Sequence, residues 1–275
     1  MSLVVGSRTN AEKLDFSGLL PVQFWKISCE TVLGRALGTR AGNPCSFDID
    51  MEGNIDGQQL EILAQSISYK HDIESALKTQ MQLRVHVNSN GGRVTTAMRM
   101  GRLIRREGGT VIAAKDCFSA CVFLLIGGVE REVTGRIGIH RLFLDTDTKD
   151  MTTLPDSLQI KEAIDKLVTQ AVEYVTEMNV PDRIVEDMMA VPSDSIKMLT
   201  IDDLLRYGIP PVDPYELEAR EITEAKTMGI SHAEYLERKN LVRLRCYPNR
   251  GDNPYLQTPL DKFDECYRQI MIQSH

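Results

Sequence analysis

Long apolar runs are missing from this sequence, and so is any excess of positive charge. No stretch approaches the roughly 20 consecutive apolar residues that a membrane-spanning helix requires, so we expect no membrane span. Residues 18–25 are too short for the apolar core of a signal peptide and lack a preceding basic segment. We therefore expect no removable targeting peptide, and the cellular compartment stays open. The formal net charge of −7 argues against general binding to nucleic acids or anionic membranes.

Metal-binding motifs are also missing. Neither Cys-x-x-Cys nor His-Glu-x-x-His occurs, so we expect no zinc or other metal site, and nothing in the sequence calls for a cofactor. The 6 cysteines are an even number, which leaves free thiols and disulfides both open. If disulfides form, Cys29 with Cys45 and Cys246 with Cys266 are plausible pairs.

The chain has 275 residues, of which 42% are hydrophobic and 26% are charged, as in an ordinary globular protein. This length is enough for one large domain and an appendage. The Pro210-Pro211 pair marks a boundary. We predict an N-terminal segment over residues 1–46, a main domain over 47–212 and a C-terminal extension over 213–275.

Strand and helix patterns alternate through the predicted main domain. Phe47, Ile49 and Met51 alternate with acidic residues, and a second alternating segment follows at 83–87. A third strand is predicted over 110–114, and segments with helical spacing lie between the strands. Units of about 30 residues imply right-handed crossovers. The sequence therefore predicts an α/β fold, with a layered, largely parallel sheet and flanking helices.

The remaining elements are read from spacing and caps. A polar loop is predicted over 142–155, followed by a long helix over 160–178 whose apolar stripe either joins subunits or covers its own sheet. Thr200 with Asp203 resembles a capping box at the start of a short helix. Residues 215–238 have a helical pattern, and 241–246 favour a strand.

Three short motifs follow one another in the main domain. A predicted strand ends in the turn Asn88–Gly92, the fragment Cys117–Cys121 opens an apolar run, and a short strand ends at His140. Taken singly, each has an ordinary explanation as a turn, a helix cap or a strand end. Their ordered combination favours an acyl-transfer site.

The chemistry requires these residue types. A serine hydroxyl is a poor nucleophile until a base takes its proton, and His140 lies 21 positions after Ser119. The carbonyl oxygen that becomes negative during attack needs fixed backbone N–H donors, which Gly91 and Ala120 would supply. Cys117 or Cys121 would be a lesser choice of nucleophile. A disulfide between these two cysteines is geometrically demanding at a separation of four.

These motifs resemble the Clp protease proteolytic-subunit-like, crotonase-fold superfamily over roughly residues 47–209. The resemblance is nearest to a Clp-like branch, often predicted to be periplasmic, with Cys-x-Ser-Ala-Cys around the serine. It implies repeated β-β-α units, Ser119 as nucleophile, His140 as base, and Gly91 and Ala120 as the oxyanion hole. It further implies a polypeptide substrate and a homo-oligomer, and leaves any regulatory partner unidentified.

The sequence departs from the family pattern in its third catalytic residue. Asn90 stands where the family has a proline, and the interval from Ser119 to His140 is a few residues shorter. The family's aspartate has no clean counterpart: Asp194 is favoured, Asp187 is its rival, and a dyad without either is open.

Other functions remain open at this stage. Lysine-dependent relatives would use a downstream base such as Lys161 or Lys166, although the presence of a histidine disfavours this. A non-catalytic binding or scaffold protein could keep the same fold. A crotonase-type acyl-CoA enzyme ranks third, because it would leave the serine idle.

Overall fold

The computed structural model describes residues 25–29, 45–143, 157–192, 194–246 and 260–272. Contacts divide the chain into two compact units, the first containing 25–28 and the described residues of 45–213, and the second containing Cys29 and the described residues from 214 onward. Within the described ranges, no helix is both long enough and apolar enough to cross a membrane.

Two sheets form the first unit. The larger contains β1 (Trp25–Cys29), β2 (Cys45–Glu52), β3 (Gln82–Asn88), β4 (Thr110–Ala113) and β6 (Glu130–Val133), in the order β1-β2-β3-β4-β6. The smaller contains β5 (Asp116–Phe118), β7 (Arg136–Ile139) and β8 (Lys197–Leu199), in the order β5-β7-β8. Neighbours from β2 to β6 are parallel, as are β5 and β7, whereas β8 is antiparallel to β7. The predicted α/β fold with largely parallel, layered sheets is confirmed.

Helices flank these sheets and form the second unit. The first unit contains α1 (Gly57–Leu77), α2 (Val94–Arg106), α3 (Cys121–Gly127), α4 (Ser157–Glu177), α5 (Arg183–Ala190) and α6 (Ile201–Arg206). The second contains α7 (Pro214–Thr227), α8 (His232–Arg245) and α9 (Leu260–Met271). The predicted capping box is confirmed, because the side chains of Thr200 and Asp203 each accept a hydrogen bond from the other's backbone N–H.

Alternation along the strands explains their burial. Leu83, Val85 and Val87 in β3 are buried, while the intervening side chains are half-buried. Asp48 in β2 departs from this pattern, since its carboxylate is buried. It accepts a hydrogen bond from Ser46 Oγ at 2.6 Å and pairs with His86 Nε2 at 2.8 Å, which satisfies the buried charge.

The C-terminal half of α4 packs into the core of its own subunit. Ala171, Tyr174 and Val175 are fully buried. Burial raises the pKa of the Tyr174 hydroxyl, so it stays protonated and donates a hydrogen bond to Phe123 O at 2.7 Å. This half of the apolar stripe therefore covers its own core, and the homo-oligomer stays a prediction.

The second unit has a small core of its own. Ala225, Tyr235, Val242, Cys246 and Met271 form it, and a disulfide joins Cys246 to Cys266. The predicted strand over 241–246 is wrong. Positions 235, 242 and 246 lie on one face of a helix, so packing extends α8 through residue 245.

Several predictions fall at or beyond the limits of the described residues. Residues 144–155 of the predicted loop and most of 1–46 lie outside them. The described part of 1–46 contains β1, a strand that the pattern did not indicate, and β2 begins two residues earlier than the alternation from Phe47 suggests.

We predict that Tyr174→Phe lowers the free energy of unfolding by about 1–2 kcal/mol, because a buried carbonyl loses its hydroxyl donor. Urea denaturation measures this change. The matched control is Tyr69→Phe, since Tyr69 is half-buried and only stacks on Trp25 in the described structure. Its effect should stay within about 0.5 kcal/mol. Equal losses in both variants would contradict the role of the Tyr174 hydroxyl.

Candidate active site

Ser119 occupies a sharp turn between β5 and α3. The sequence suggested that Ser119 opens the helix, but α3 begins two residues later, at Cys121. Its φ of +56° is uncommon for a residue with a side chain and costs about 1–2 kcal/mol. The Ser119 N–H donates to Gly138 O at 2.9 Å, and Ser119 O accepts from Val122 N at 3.1 Å. Backbone outliers of this kind concentrate at functional sites.

The glycine turn packs directly against this serine. A Cβ atom on Gly91 would lie 2.7 Å from Ser119 Cβ and 3.1 Å from Ser119 Oγ. Gly91 has a φ of +116° and Gly92 a φ of +141°, so both positions need glycine. Two hydrogen bonds hold the turn to β5: Ser89 N to Asp116 O at 2.8 Å and Phe118 N to Ser89 O at 3.0 Å. The structure thus brings Gly91 and Ser119 together.

The backbone N–H groups of the turn differ in their partners. Gly91 N–H donates to Ser89 Oγ at 3.0 Å, so it could reach an oxyanion only by giving up that bond. Gly91 O accepts from Ile55 N at 2.8 Å, and across a trans peptide the Gly92 N–H therefore points away from Ile55. Within the described chain, Gly92 N–H and Ala120 N–H have no acceptor. Gly92 was not predicted as a donor, although the Gly-Gly pair in the sequence indicated it.

His140 follows the last residue of β7, the strand beside the serine. Phe118 pairs with Gly138 in the parallel ladder of β5 and β7, so Ser119 and His140 both lie at the carboxyl ends of neighbouring strands. The ring of His140 stacks on Phe143, with centroids 5.7 Å apart. Among the described residues, no hydrogen bond joins Ser119 to His140.

A backbone carbonyl selects the tautomer of His140. Its Nδ1 atom lies 2.9 Å from Arg141 O, which can only accept, so Nδ1 carries the proton in the neutral ring. The Nε2 atom then keeps its lone pair and can act as a base.

Arg141 is itself fastened to the end of α5. Its N–H donates to Val191 O at 3.0 Å, and its Nε and Nη2 donate to Met189 O at 3.1 and 3.0 Å. Carbonyls at the C-terminal end of a helix carry partial negative charge and attract a guanidinium. These contacts fix the backbone immediately after the histidine.

The predicted aspartates do not contact this histidine in the described structure. Asp187 accepts hydrogen bonds from Tyr207 Oη and from Lys197 Nζ, the latter at 3.2 Å, and the two bonds lower its pKa. Asp194 is exposed and accepts from Ser195 Oγ at 3.2 Å. A carboxylate as third catalytic residue therefore stays a prediction.

Other candidate nucleophiles and bases are placed as follows. A disulfide joins Cys117 to Cys121, so neither sulfur is a free thiol and the cysteine-nucleophile alternative is wrong. Lys161 and Lys166 are exposed on α4. In the described ranges, no group of three or more His, Cys, Asp or Glu side chains is arranged to hold a metal ion.

Apolar side chains lie beside the serine's strand partner. A Cβ atom on Gly138 would lie 2.5 Å from Ile196 Cγ2 and 3.4 Å from Met198 Sδ. Ile196 is 49% exposed and Met198 47% exposed. Both offer apolar surface to solvent next to the residue that accepts the Ser119 N–H.

Together these features define an α/β protein with a candidate serine–histidine site. No protein-family model matches the chain, and no curated protein matches it in sequence. Among solved structures, a point mutant of ClpP1 from Listeria monocytogenes is 14% identical, with a TM-score of 0.44 over 59% of this chain and 87% of that one. ClpP1 from Listeria monocytogenes itself has the same identity and coverage, with a TM-score of 0.42.

A third similar structure is a mutant of 1510-N, a membrane-bound stomatin-specific protease. It is 16% identical, with a TM-score of 0.41 over 62% of this chain and 82% of that one. The chain therefore resembles these structures at low sequence identity. Such a likeness concerns the fold alone and says nothing of activity. Membership in the branch with Cys-x-Ser-Ala-Cys stays a prediction.

We predict that Gly91→Ala destabilises the protein more than Gly53→Ala. Gly53 also has a positive φ, +94°, but a Cβ there meets nothing within 4 Å, so only backbone strain of about 1–2 kcal/mol applies. A Cβ on Gly91 adds a clash with Ser119, which should cost a further ~1–3 kcal/mol. Urea unfolding of both variants measures the difference. Equal losses would show that the turn does not press on the serine.

Proposed function

We propose that this chain is a serine peptidase in which Ser119 attacks a peptide carbonyl and His140 serves as general base. The observation that carries the proposal is the position of Ser119, at positive φ, packed on Gly91 and hydrogen-bonded to Gly138. An ordinary helix cap needs neither the strained backbone nor the glycine contact. The end of β7 supplies a histidine at the same sheet edge.

The reaction follows from these groups. His140 Nε2 takes the hydroxyl proton as Ser119 Oγ attacks the carbonyl carbon, giving a tetrahedral intermediate. The imidazolium then returns the proton to the leaving amine, and the acyl group stays on the serine. Water, deprotonated by the same nitrogen, releases the acid. Because the uncomplexed protein has no Ser119–His140 hydrogen bond, substrate binding must shorten that separation.

Backbone donors would stabilise the oxyanion. Ala120 N–H is the first, since it follows the nucleophile and has no acceptor in the described chain. Gly91 N–H, the donor predicted from the sequence, would have to leave Ser89 Oγ. Gly92 N–H needs no such exchange, because it points away from Ile55 and its residue is exposed. We therefore include Gly92 beside Gly91 in the proposed oxyanion turn.

The proposed mechanism can orient the base without a carboxylate, although a carboxylate as third residue stays a prediction. The Arg141 carbonyl accepts the Nδ1 proton of His140 and so performs the orienting part of a third catalytic residue. Arg141 is a positioning residue in this proposal, because its side chain fixes that carbonyl through Met189. Asp194, the third residue favoured by the sequence, would join by hydrogen-bonding to the ring, a bond that the described structure does not have.

The substrate class follows from the surface beside the serine. Ile196 and Met198 flank Gly138 and are half-exposed, which suits an apolar side chain of a polypeptide substrate. The proposal extends to a homo-oligomer, because Leu158 at the start of α4 is 61% exposed while the far half of that helix is buried.

A non-catalytic binding protein is the second candidate. It is favoured by the missing hydrogen bond between Ser119 and His140 in the described structure. It predicts that a serine-directed fluorophosphonate leaves the protein unmodified.

We predict that Ser119→Ala abolishes fluorophosphonate labelling and leaves the circular dichroism spectrum unchanged. The matched control is Ser195→Ala, whose hydroxyl is exposed on a neighbouring segment and should leave labelling intact. Mass spectrometry of the modified peptide locates the adduct. Undiminished labelling of Ser119→Ala would reject the nucleophile, and an unlabelled native protein would favour the binding candidate.

We also predict that Arg141→Ala lowers the maximal rate of labelling by about tenfold, since loss of its contacts frees the carbonyl that orients His140. Arg141→Lys should recover part of the rate. Asp187→Asn and Asp194→Asn should leave the rate within about twofold. The rate at saturating probe separates orientation from probe affinity. A large fall in the labelling rate of Asp194→Asn alone would show that a carboxylate orients the His140 ring.

A further inference from the structure

The Cys117–Cys121 disulfide encloses the candidate nucleophile. Cys117 lies in β5 and Cys121 is the first residue of α3, with Cα atoms 5.1 Å apart. The bridge closes a short covalent ring around Phe118, Ser119 and Ala120. Both cysteines are fully buried.

Packing holds the body of α3, whose residues are all buried, but few hydrogen bonds fix its start apart from the bridge. The helix has seven residues and no side-chain cap at its N-terminus, and helices this short are marginal alone. Backbone bonds from Val122 N to Ser119 O and from Phe123 N to Ala120 O close its first turn. A covalent tie between strand and helix restricts how far the enclosed residues can relax.

The backbone enclosed by the disulfide is strained at Ser119. Ser119 is at positive φ, a conformation that the chain alone disfavours, and Gly91 lies so close to its side chain that a Cβ on the glycine would not fit. If the ring opened, Ser119 could return to negative φ. Its Oγ would then leave the contact with the glycine turn, and the proposed oxyanion donors would lose their geometry.

We propose that the Cys117–Cys121 disulfide is a redox-dependent positioning element that keeps Ser119 reactive. In the oxidised state the ring holds Ser119 against Gly91. A dithiol reductant transfers two electrons and two protons, so the S–S bond breaks, both cysteines become thiols, and the reductant becomes a disulfide. The turn then relaxes and the nucleophile loses reactivity. This inference rests on the proposed function for its catalytic part.

A disulfide in the other unit provides a matched control. Cys246–Cys266 lies in the other unit, and Cys266 is half-buried, so a reductant reaches it more readily than the bridge around the serine. Cys246→Ala/Cys266→Ala therefore removes a disulfide without touching β5 or α3. Cys117→Ala/Cys121→Ala removes the bridge in question.

The experiment measures fluorophosphonate labelling of the two double variants and the native chain at saturating probe. We expect the maximal rate to fall by about tenfold, or about 1.4 kcal/mol in the barrier, in Cys117→Ala/Cys121→Ala. In Cys246→Ala/Cys266→Ala it should stay within about twofold. Dithiothreitol should slow labelling of the native chain and of Cys246→Ala/Cys266→Ala, and reoxidation should restore the rate. The reductant should have no further effect on Cys117→Ala/Cys121→Ala. Equal rates in all forms would overturn the proposal.

A second measurement separates this inference from the proposed function. Hydrogen exchange at Ser119 N–H, bonded to Gly138 O, and at Val122 N–H reports the turn without any activity. We expect exchange at both to accelerate on reduction while β3 is unchanged. Accelerated exchange in a protein that never labels would support the positioning and reject the peptidase. Unchanged exchange would overturn the positioning, and accelerated exchange with unchanged labelling would overturn its link to reactivity.

Reduction of the native chain also covers the case in which the double alanine variant does not fold. Differential alkylation before and after dithiothreitol, read by mass spectrometry, shows which bridge has opened. Slower labelling that begins only when Cys117 and Cys121 become alkylated supports the proposal. Slower labelling that follows Cys246 and Cys266 instead overturns it.

Discussion

The close approach of Gly91 to Ser119 is the constraint on which the rest of the site depends. It requires the turn after β3 to meet the turn after β5. A parallel β-bridge between the backbones of Ser89 and Cys117 brings the two segments together. The close approach also requires a glycine at position 91 and a positive φ at Ser119. Because β5 pairs with β7, the same arrangement places the end of β7, and hence His140, at that edge. The parallel topology therefore gathers parts from three separate segments of the chain.

Much of the fold could be predicted because burial leaves a periodic trace. The strand at 83–87 alternates in sequence as it does in the structure, and the capping box at Thr200 follows from local chemistry alone. The strand β5 could not be predicted in this way. It has only three residues, and it forms because it pairs with β7 and makes a β-bridge to Ser89. Both are tertiary contacts. The missed helical end at 241–245 has the opposite cause, since apolar residues there suit either structure until packing decides.

The site was predictable in its residue types and less so in its hydrogen bonds. The order of glycine turn, serine and histidine is visible along the chain, and it names Ser119 and His140. Sequence does not show that Ser89 Oγ already occupies the Gly91 N–H, or that Arg141 O faces Nδ1 of the histidine. These hydrogen bonds depend on side-chain rotamers and on distances of tenths of an ångström. The disulfide at a separation of four depends in the same way on the sharp turn between the two cysteines.

In the proposed mechanism, a carbonyl in place of a carboxylate has a chemical consequence. It selects the same tautomer, but it has only a partial negative charge to stabilise the imidazolium that forms when the serine loses its proton. Asp187 cannot add that charge where it stands, since Tyr207 and Lys197 hold it. In that proposal a hydrogen bond orients His140 and no full negative charge lies against its ring nitrogen, so reactivity depends more heavily on how firmly Ser119 is held.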